Sequence, residues 1–464
     1  MRDLTTGSIA GHLVLLAAPL AVSLMTQLAQ QLVDLYFVTR LGVAATAGVN
    51  AAGNASFLIA AFAQLQSVGA TALIAQAIGR RDRHDANLVF NQSLALSAAF
   101  GALILFAALS LTPVYLQTLA ADEEMVDAGV SFMAFATPAY ILLMPTAALG
   151  GALRGAGIVK PHLLISVLTV LLNAVLAPFL IAGWGEISGL GVRGAGLATS
   201  ISVAIGVVAF CWYLRRHEPY LLFDAGLMRP RTHQWRRIFG VGLPAACEFV
   251  LVFLSTAVVY YAIRNFGAAV QAGFGIGARA LQLLLLPGMA LSFAAGPVVA
   301  QSFGAARAER VKQTFRIAML LQGAVSLVIT LWIQWRARVV ADVFQVDAEV
   351  VGVAAVFLQI VSWNMVAQGV VYVCSSTFQG LGNTIPSLVS SSVRFAIFTI
   401  SVAWLAARST FAVEQVWYVL IVSVTAQALL SLWLVRGELR RRLVLPLRTP
   451  QASAVPSHQR TVMR

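Results

Sequence analysis

Charged residues are scarce in this sequence: Asp, Glu, Lys and Arg make up 11% of its 464 residues, against about a quarter in a soluble domain. The two lysines, Lys160 and Lys312, do not follow glycine as in a Walker A loop, which argues against an ATP-driven pump. The GxSxG and HExxH motifs of hydrolytic enzymes do not occur. Cys211, Cys247 and Cys374 lie in apolar stretches without paired spacing, so neither a disulfide framework nor a metal site is predicted. We therefore expect neither an enzyme nor a cofactor.

Apolar residues supply 59% of the chain, and its mean hydropathy is +0.84. They come in blocks that match the roughly 20 residues with which a helix crosses a bilayer. The pattern predicts an all-α integral membrane protein with twelve transmembrane helices, the tenth of them a single helix over residues 350–375.

The net charge of +13 reflects topology, because most of the basic residues fall in alternate loops. The loops after the second, fourth, sixth and eighth spans are the basic ones; they include Arg80, Arg154 and Arg229. Since basic loops stay in the cytoplasm, we predict that both termini are cytoplasmic. The expected partners are membrane lipids and a small-molecule substrate, not nucleic acid, and we expect a monomer.

The two halves of the chain repeat each other at one gapless offset of 225 residues. The offset aligns Pro19 with Pro244, Gln76 with Gln301, and the segment RGAGIVKP at 154–161 with QGLGNTIP at 379–386. Six spans per repeat leave both copies running the same way through the membrane, so the pseudo-twofold axis lies along the membrane normal. We predict a cytoplasmic N-terminus (1–13), an N-lobe (14–214), a linker (215–239), a C-lobe (240–435) and a basic cytoplasmic tail (436–464).

One polar stripe on the first span is a candidate site. Ser23, Gln27, Gln30 and Asp34 recur at helical spacing and share one face of a helix that Pro19 can kink. An ionisable residue within a span is a functional candidate by default, so Asp34 is the predicted ion-coupling residue. Gln27 and Gln30 are predicted to take part in substrate binding or gating.

Glu248 is a second acid within a span, one turn after Pro244, which we expect to kink the seventh span. Its repeat partner is Ser23, so the two acids lie at different depths. We predict a substrate-binding or gating role for Glu248. Arg279 and Arg394 are the expected counter-charges for these acids or for lipid headgroups.

Further candidates are uncharged. Asn173, deep in the fifth span, is a candidate to share a hydrogen bond with an acid in ion coupling, or serves as an interhelical hydrogen-bonding group. Tyr36, Tyr260 and Met289 are candidates for a cavity wall that stacks on flat cations, although such residues also serve as packing. Gln76 and Gln301, which precede glycine-rich turns in both halves, are interpreted as structural helix ends.

Several segments together resemble the multidrug and toxic compound extrusion (MATE) family. They include PLAVSLMTQLAQQLVDLYFVTRLG, AQAIGRRD, LRGAGIVKP, LLNAVLAPFLIAG, GLPAACE and AQSFGAARAER. The resemblance implies a proton- or sodium-coupled antiporter in the bacterial inner membrane, with two six-helix lobes, that expels cationic drugs and dyes. It places the family's first-span acid on Asp34 and its fifth-span asparagine on Asn173. The chain has Ala177 where some members carry an acid one turn after that asparagine.

The expected mechanism is alternating access, in which drug and ion compete for the charge of Asp34, with protons favoured over sodium because the fifth-span acid is missing. The alternative function is a lipid or glycolipid flippase of related architecture, which predicts several cavity-facing arginines. A scaffold or sensor without transport is a further alternative, against which the polar stripe argues.

Overall fold

A computed structural model describes residues 2–119, 123–184, 187–344, 347–408 and 411–444. Within these ranges a few residues are described by their backbone alone: Leu32, Asp34, Leu35, Val43, Ala44, Asn54, Ala55, Leu119, Trp184, Ile187 and Val444.

The described chain is built almost wholly of helices. They are α1 (Ile9–Thr39), α2 (Val43–Gly79), α3 (Arg83–Leu119), α4 (Glu123–Gly155), α5 (Lys160–Ala182), α6 (Val192–His217), α7 (Thr232–Ile263), α8 (Ala268–Gly304), α9 (Ala308–Asp342), α10 (Ala348–Val361), α11 (Asn364–Leu381), α12 (Ile385–Ala406) and α13 (Val413–Val444). Two-residue strands β1 (Gly183–Trp184) and β2 (Ile187–Ser188) pair antiparallel between α5 and α6. Eleven of these helices are long and apolar enough to cross a membrane, and α10 with α11 supplies one more span, which confirms the prediction of twelve.

The tenth span is not the single helix that we predicted over 350–375. It consists of α10 and α11, which meet at an angle of 57° around Ser362. Side chains of α9 bind the backbone at the break: Thr330 Oγ1 donates to the Ser362 carbonyl at 3.0 Å, and Gln334 Nε2 donates to the Gln359 carbonyl at 2.6 Å. The Ser362 carbonyl also accepts the Met365 amide at 2.9 Å. Hydrogen bonds to the backbone at a break make a broken helix tolerable inside a membrane.

The helices form two lobes, α1–α6 and α7–α13, each with its own core. In the N-lobe, α4 packs closely on α2, α3 and α6. In the C-lobe the core centres on the ring of Trp417, which stacks on Phe274 at 5.5 Å and meets Phe357 edge-on at 4.9 Å. Most of each core therefore lies within one lobe. Residues in the first half of α7 join the N-lobe core across the interface: Ile238, Val241, Ala245 and Ala246.

Helix α1 contacts both lobes. Its first half packs Leu13, Leu16 and Leu20 against α8 of the C-lobe, around Ala290 and Ala294. Its second half packs on α5 and α6 of the N-lobe. The cluster shared with the C-lobe extends to Leu24 and the one shared with the N-lobe includes Phe37, so the change of partner falls after Pro19, within one continuous helix.

Two duplicated glutamines join the lobes at the end that carries the N-terminus. Gln76 Nε2 donates to the Gly380 carbonyl at 2.8 Å, and Gln301 Nε2 donates to the Gly155 carbonyl at 3.0 Å. These residues do lie near helix ends, but they bind across the interface and do not cap their own helices. We call the two bonds the glutamine lock.

Glycines let the backbones approach closely beside the glutamine lock. A Cβ atom at Gly79 would lie 2.1 Å from the Gln301 carbonyl oxygen, and one at Gly304 would lie 2.1 Å from that of Gln76. Nearer the middle of the molecule, the ring of Phe57 on α2 stacks on Phe249 of α7 at 4.7 Å. The lobes therefore touch closely from the glutamine lock up to Phe57.

Residues 2–7 lie across the same end. The amide of Arg2 donates to the Ala156 carbonyl of the N-lobe at 3.0 Å, and that of Leu4 donates to Gln301 Oε1 of the C-lobe at 3.0 Å. The Arg310 guanidinium binds the carbonyls of Leu4, Thr6 and Gly7. Because it bonds to both lobes, this segment adds to the closure of this end.

The polar segment between the lobes, 218–231 outside the helices, is held on α3. Asn87, Asn91 and Gln92 on one face of α3 bond to its backbone; for example, Asn91 Nδ2 donates to the Leu222 carbonyl at 2.8 Å. The segment is thus an ordered part of the N-lobe surface.

Candidate functional site

A cavity of about 470 Å³ lies between the lobes, above the glutamine lock. Helices α1, α2, α4, α5 and α6 form most of its wall, and α7, α8 and α11 complete it. Its polar lining residues are Ser23, Gln27, Gln30, Gln64, Ser67, Thr71, Thr146, Arg154, His162, Ser166, Thr169, Ser376 and Gln379. Pockets of this size, with mostly apolar walls and a few polar groups, suit drug-sized organic molecules.

The polar stripe of α1 reaches this cavity. Ser23, Gln27 and Gln30 line it, as the shared helix face predicts. The Ser23 hydroxyl is buried, and no hydrogen-bond partner for it occurs among the described residues. Asp34 follows Gln30 by one turn on α1, and its side chain lies outside the described residues.

Asn173 is fully buried in α5. Its Nδ2 donates to Thr199 Oγ1 of α6 at 3.2 Å, while Oδ1 meets no donor in the described part of the chain. A buried amide oxygen without a partner costs about 1–3 kcal/mol, so it favours an added donor or cation. Asn173 lies outside the cavity lining, behind Thr169, which is one turn away on the same helix.

A cluster of polar side chains forms the part of the cavity nearest the closed end. The Arg154 guanidinium donates to Ser67 Oγ and lies 3.3 Å from His162 Nε2, and His162 Nδ1 lies 3.5 Å from Ser166 Oγ. A Cβ atom at Gly150 would lie 2.9 Å from the imidazole, so a glycine is required to make room for the ring. We call Arg154, His162, Ser67 and Ser166 the basic pocket.

The charge pattern of the sequence assigns Arg154 to a cytoplasmic loop, whereas the structure places it at the end of α4 in the cavity wall. The sequence does hold a signal of the basic pocket, namely the departure of RGAGIVKPH from its repeat QGLGNTIPS.

Glu248 on α7 lies in a corresponding cluster of the C-lobe. Its Oε2 accepts hydrogen bonds from Ser387 at 2.7 Å and Ser375 at 3.2 Å. Arg394 lies near enough to interact electrostatically with Glu248, but it forms no ion pair within 4 Å with any described residue, and its Nη1 donates to Gln427 at 3.4 Å. Arg279 is exposed on α8, without an ion pair among the described residues. Serines, not arginines, are therefore the direct partners of Glu248.

The two clusters occupy equivalent positions in the repeat. The offset of 225 residues relates Arg154 to Gln379, His162 to Ser387, Ser166 to Ser391, Gly150 to Ser375 and Ser23 to Glu248. One lobe thus carries a cation where the other carries an amide, and a hydroxyl where the other carries an acid. The duplicated pockets therefore differ in charge: the N-lobe pocket carries a basic side chain, Arg154, and the C-lobe pocket an acidic one, Glu248.

The other predicted wall residues lie apart from this cavity. Tyr36 is half-exposed near the end of α1, where Arg40 covers its ring at 4.5 Å. Tyr260 meets Phe274 edge-on at 5.0 Å within the C-lobe, and Met289 is partly buried on α8. None of the three belongs to the described cavity lining.

Both predicted helix-kink residues lie inside unbroken helices. Pro19 falls in α1 and Pro244 at the equivalent place in α7. Ile238 and Gly242, near Pro244, pack on Gly69 and Leu65 of α2. Both prolines therefore lie where their helices contact the opposite lobe.

Two similar lobes of membrane-spanning helices around a central cavity define a membrane transporter. The model of the MatE family matches residues 19–179 and again residues 244–405, one match in each lobe. The chain therefore belongs to the MatE family, the MATE multidrug efflux transporters, as its sequence motifs predict; it is a transporter and not an enzyme.

Relatives align over most of the chain. The FAD transporter of Shewanella oneidensis is 24% identical over 417 residues, covering 87% of this chain and 90% of the relative. The multidrug export protein MepA of Staphylococcus haemolyticus is 25% identical over 395 residues, covering 84% of each. A solved structure described as the outward-facing conformation of a multidrug resistance MATE family transporter superposes with a TM-score of 0.87 at 23% identity, covering 95% of this chain and 98% of that one. The twelve-helix, two-lobe fold is thus shared.

Proposed function

We propose that this protein is a secondary active antiporter that exports small organic compounds, often cationic ones, in exchange for protons or sodium by alternating access. The observation that carries the proposal is the central cavity, which lies between two lobes that are closed on one side by the glutamine lock and by close helix packing around it. Relatives named for multidrug export and for FAD transport support small organic substrates.

Alternating access requires an interface that can separate without unfolding either lobe. Each bond of the glutamine lock joins a side chain of one lobe to a backbone carbonyl of the other, and water can replace both partners when the lobes part. With the N-terminus in the cytoplasm, the closed end faces the cytoplasm. The described conformation is then the one that releases substrate outward.

We assign ion coupling to Asp34 with Asn173. A carboxyl group in a span holds either a proton or a bound cation, so ion and cationic substrate compete for one charge. Each proton that enters down a potential of 100 mV supplies about 2.3 kcal/mol, enough for roughly a fifty-fold concentration gradient. The unpartnered Oδ1 of Asn173 fits a group that receives a donor during the cycle. Protons remain favoured over sodium, since sodium requires several oxygen ligands.

Glu248 is the proposed substrate-binding or gating acid of the C-lobe. Its serine partners are neutral, so they leave its charge available to a cation that reaches the cluster. The flippase alternative predicts several cavity-facing arginines, and the described lining contains Arg154 alone. We therefore retain the export of small organic compounds as the proposed function. We propose that the protein acts as a monomer in the bacterial inner membrane.

The test uses purified protein in liposomes loaded with ethidium or norfloxacin, with pH and sodium gradients imposed separately. We expect one gradient to drive transport and Asp34→Asn to abolish that dependence, while Asp127→Asn, at an exposed acid on α4, retains it. Equal gradient-driven transport by Asp34→Asn and wild type would show that Asp34 is not the coupling residue. Absence of transport under both gradients would reject the antiporter.

A further inference from the structure

The basic pocket carries a positive charge for which the described residues supply no counter-charge. The guanidinium is protonated at all physiological pH values and has only N–H donors. His162 Nε2 must therefore accept the bond from Arg154, which places the imidazole proton on Nδ1, toward Ser166. The histidine is neutral in this arrangement, and the charge of the pocket is that of Arg154.

The neighbours of Arg154 leave part of its hydrogen-bonding capacity free. Ser67 and His162 accept two of its five N–H groups, and no carboxylate among the described side chains lies within ion-pair distance. Arg154 and His162 both line the cavity, as does Ser23 with its unpartnered hydroxyl. A partly buried cation without a partner is unfavourable, and an anionic oxygen group is the ligand that a guanidinium binds best.

The other lobe shows that the fold does not require this charge. At the position equivalent to Arg154, Gln379 donates to Ser375 at 3.4 Å, and the C-lobe forms the same arrangement of helices around it. The charge is therefore better explained by a ligand than by packing.

We propose that the basic pocket binds an anionic group of the transported compound, such as a carboxylate or phosphate, so that substrates carrying an anionic group are preferred over their neutralised analogues. The proposal rests on the proposed function, because it assigns a substrate class to the same cavity. A compound with both charges could then place its anionic group in the N-lobe pocket and its cationic group toward the acid of the C-lobe.

The test compares norfloxacin, which has a carboxylate, with norfloxacin methyl ester, which lacks it. Binding of both compounds is measured by equilibrium dialysis against the full-length protein in phosphatidylcholine nanodiscs. Arg154→Gln introduces the residue found at the equivalent position, and Arg154→Lys retains the charge. Lys160→Gln, which removes an exposed cation six residues away, is the matched control.

We expect Arg154→Gln to lower the preference for the acid over the ester at least about tenfold, the usual effect of losing a charge-assisted hydrogen bond. Arg154→Lys should retain most of the preference, and Lys160→Gln all of it. An equal loss of affinity for acid and ester would indicate a structural role and overturn the proposal, as would an unchanged preference in Arg154→Gln.

A lipid headgroup offers the same anionic oxygens, so the measurement is repeated with phosphatidylglycerol in the nanodiscs. If the effect of Arg154→Gln appears only with that lipid, the pocket binds a headgroup and the substrate assignment is wrong. Binding requires no ion gradient, so the two proposals can fail separately. If the protein shows the preference for the acid but no gradient-driven transport, the antiporter proposal is wrong and the anion-site proposal is still supported.

Discussion

The glutamine lock allows a quantitative prediction for Gln76→Ala. The variant loses the bond from Gln76 Nε2 to the buried Gly380 carbonyl, which is left without that donor while the lobes remain closed. A net hydrogen bond contributes about 0.5–1.5 kcal/mol, and an unsatisfied buried carbonyl costs about 1–3 kcal/mol. When the lobes part, water reaches both groups, so only the closed state is destabilised. Within these ranges we take a destabilisation of about 1–2 kcal/mol. At about 1.4 kcal/mol per tenfold, we expect the closed-to-open ratio at this end to fall about 5- to 30-fold.

The assay is the distance between spin labels at His84 and Glu309, measured by double electron–electron resonance. Both residues are exposed, and they begin α3 and α9 at equivalent positions of the two lobes. Gln66→Ala is the matched control, because Gln66 lies on the same helix as Gln76 but bonds within the N-lobe, to Ser93 and Ser97. An unchanged distance distribution in Gln76→Ala, or an equal shift in Gln66→Ala, would refute the role of the lock.

Two further predictions concern the same end. Gly79→Ala should also favour the open state, because its Cβ would lie 2.1 Å from the Gln301 carbonyl oxygen. Gly53→Ala is the control, since its Cβ would have nothing within 4 Å and should leave the closed state unchanged. The same label pair measures both variants, and equal distance distributions would contradict the close approach at Gly79. Asp3 accepts bonds from the Thr5 hydroxyl and amide, which hold its pKa below the usual 3.8. Because the pKa of Asp3 is lowered in the folded protein, its ionised carboxylate stabilises the folded segment at neutral pH. That stabilisation is lost as the pH falls through the lowered pKa. Protection of residues 2–7 from hydrogen exchange should therefore persist at pH 5 and decline only below about pH 4; loss at pH 6 would contradict this.

The span count and the duplication could be predicted because both depend on features that are local in sequence. Apolar length specifies a span, and one gapless offset aligns Pro19 with Pro244 and Gln76 with Gln301. The break near Ser362 could not be predicted in the same way, since neither proline nor glycine occurs there and the apolar pattern continues through it. The partners that stabilise it, Thr330 and Gln334, belong to another helix.

The candidate site was predictable only in part. Helical spacing correctly placed Ser23, Gln27 and Gln30 on one cavity-facing stripe. The basic pocket combines Arg154 and His162, which lie on two helices, with a residue 87 positions away in sequence, so tertiary packing alone brings it together. Tyr36 has the aromatic ring expected of a cavity wall, but it lies near the end of α1, where its ring contacts Arg40. Composition predicts which residues can line a cavity and not which ones do.

The central claim is that the two lobes separate at one end of the molecule while they close at the other. Two distances measured on one protein test this claim most directly. After replacement of Cys211, Cys247 and Cys374, one label pair is placed at His84 and Glu309 and a second at Thr118 and Val343, at the opposite ends of α3 and α9.

On addition of substrate under the driving ion gradient, we predict that the first distance lengthens in the population in which the second shortens. Two distances that stay fixed, or that lengthen together, would contradict alternating access by these lobes.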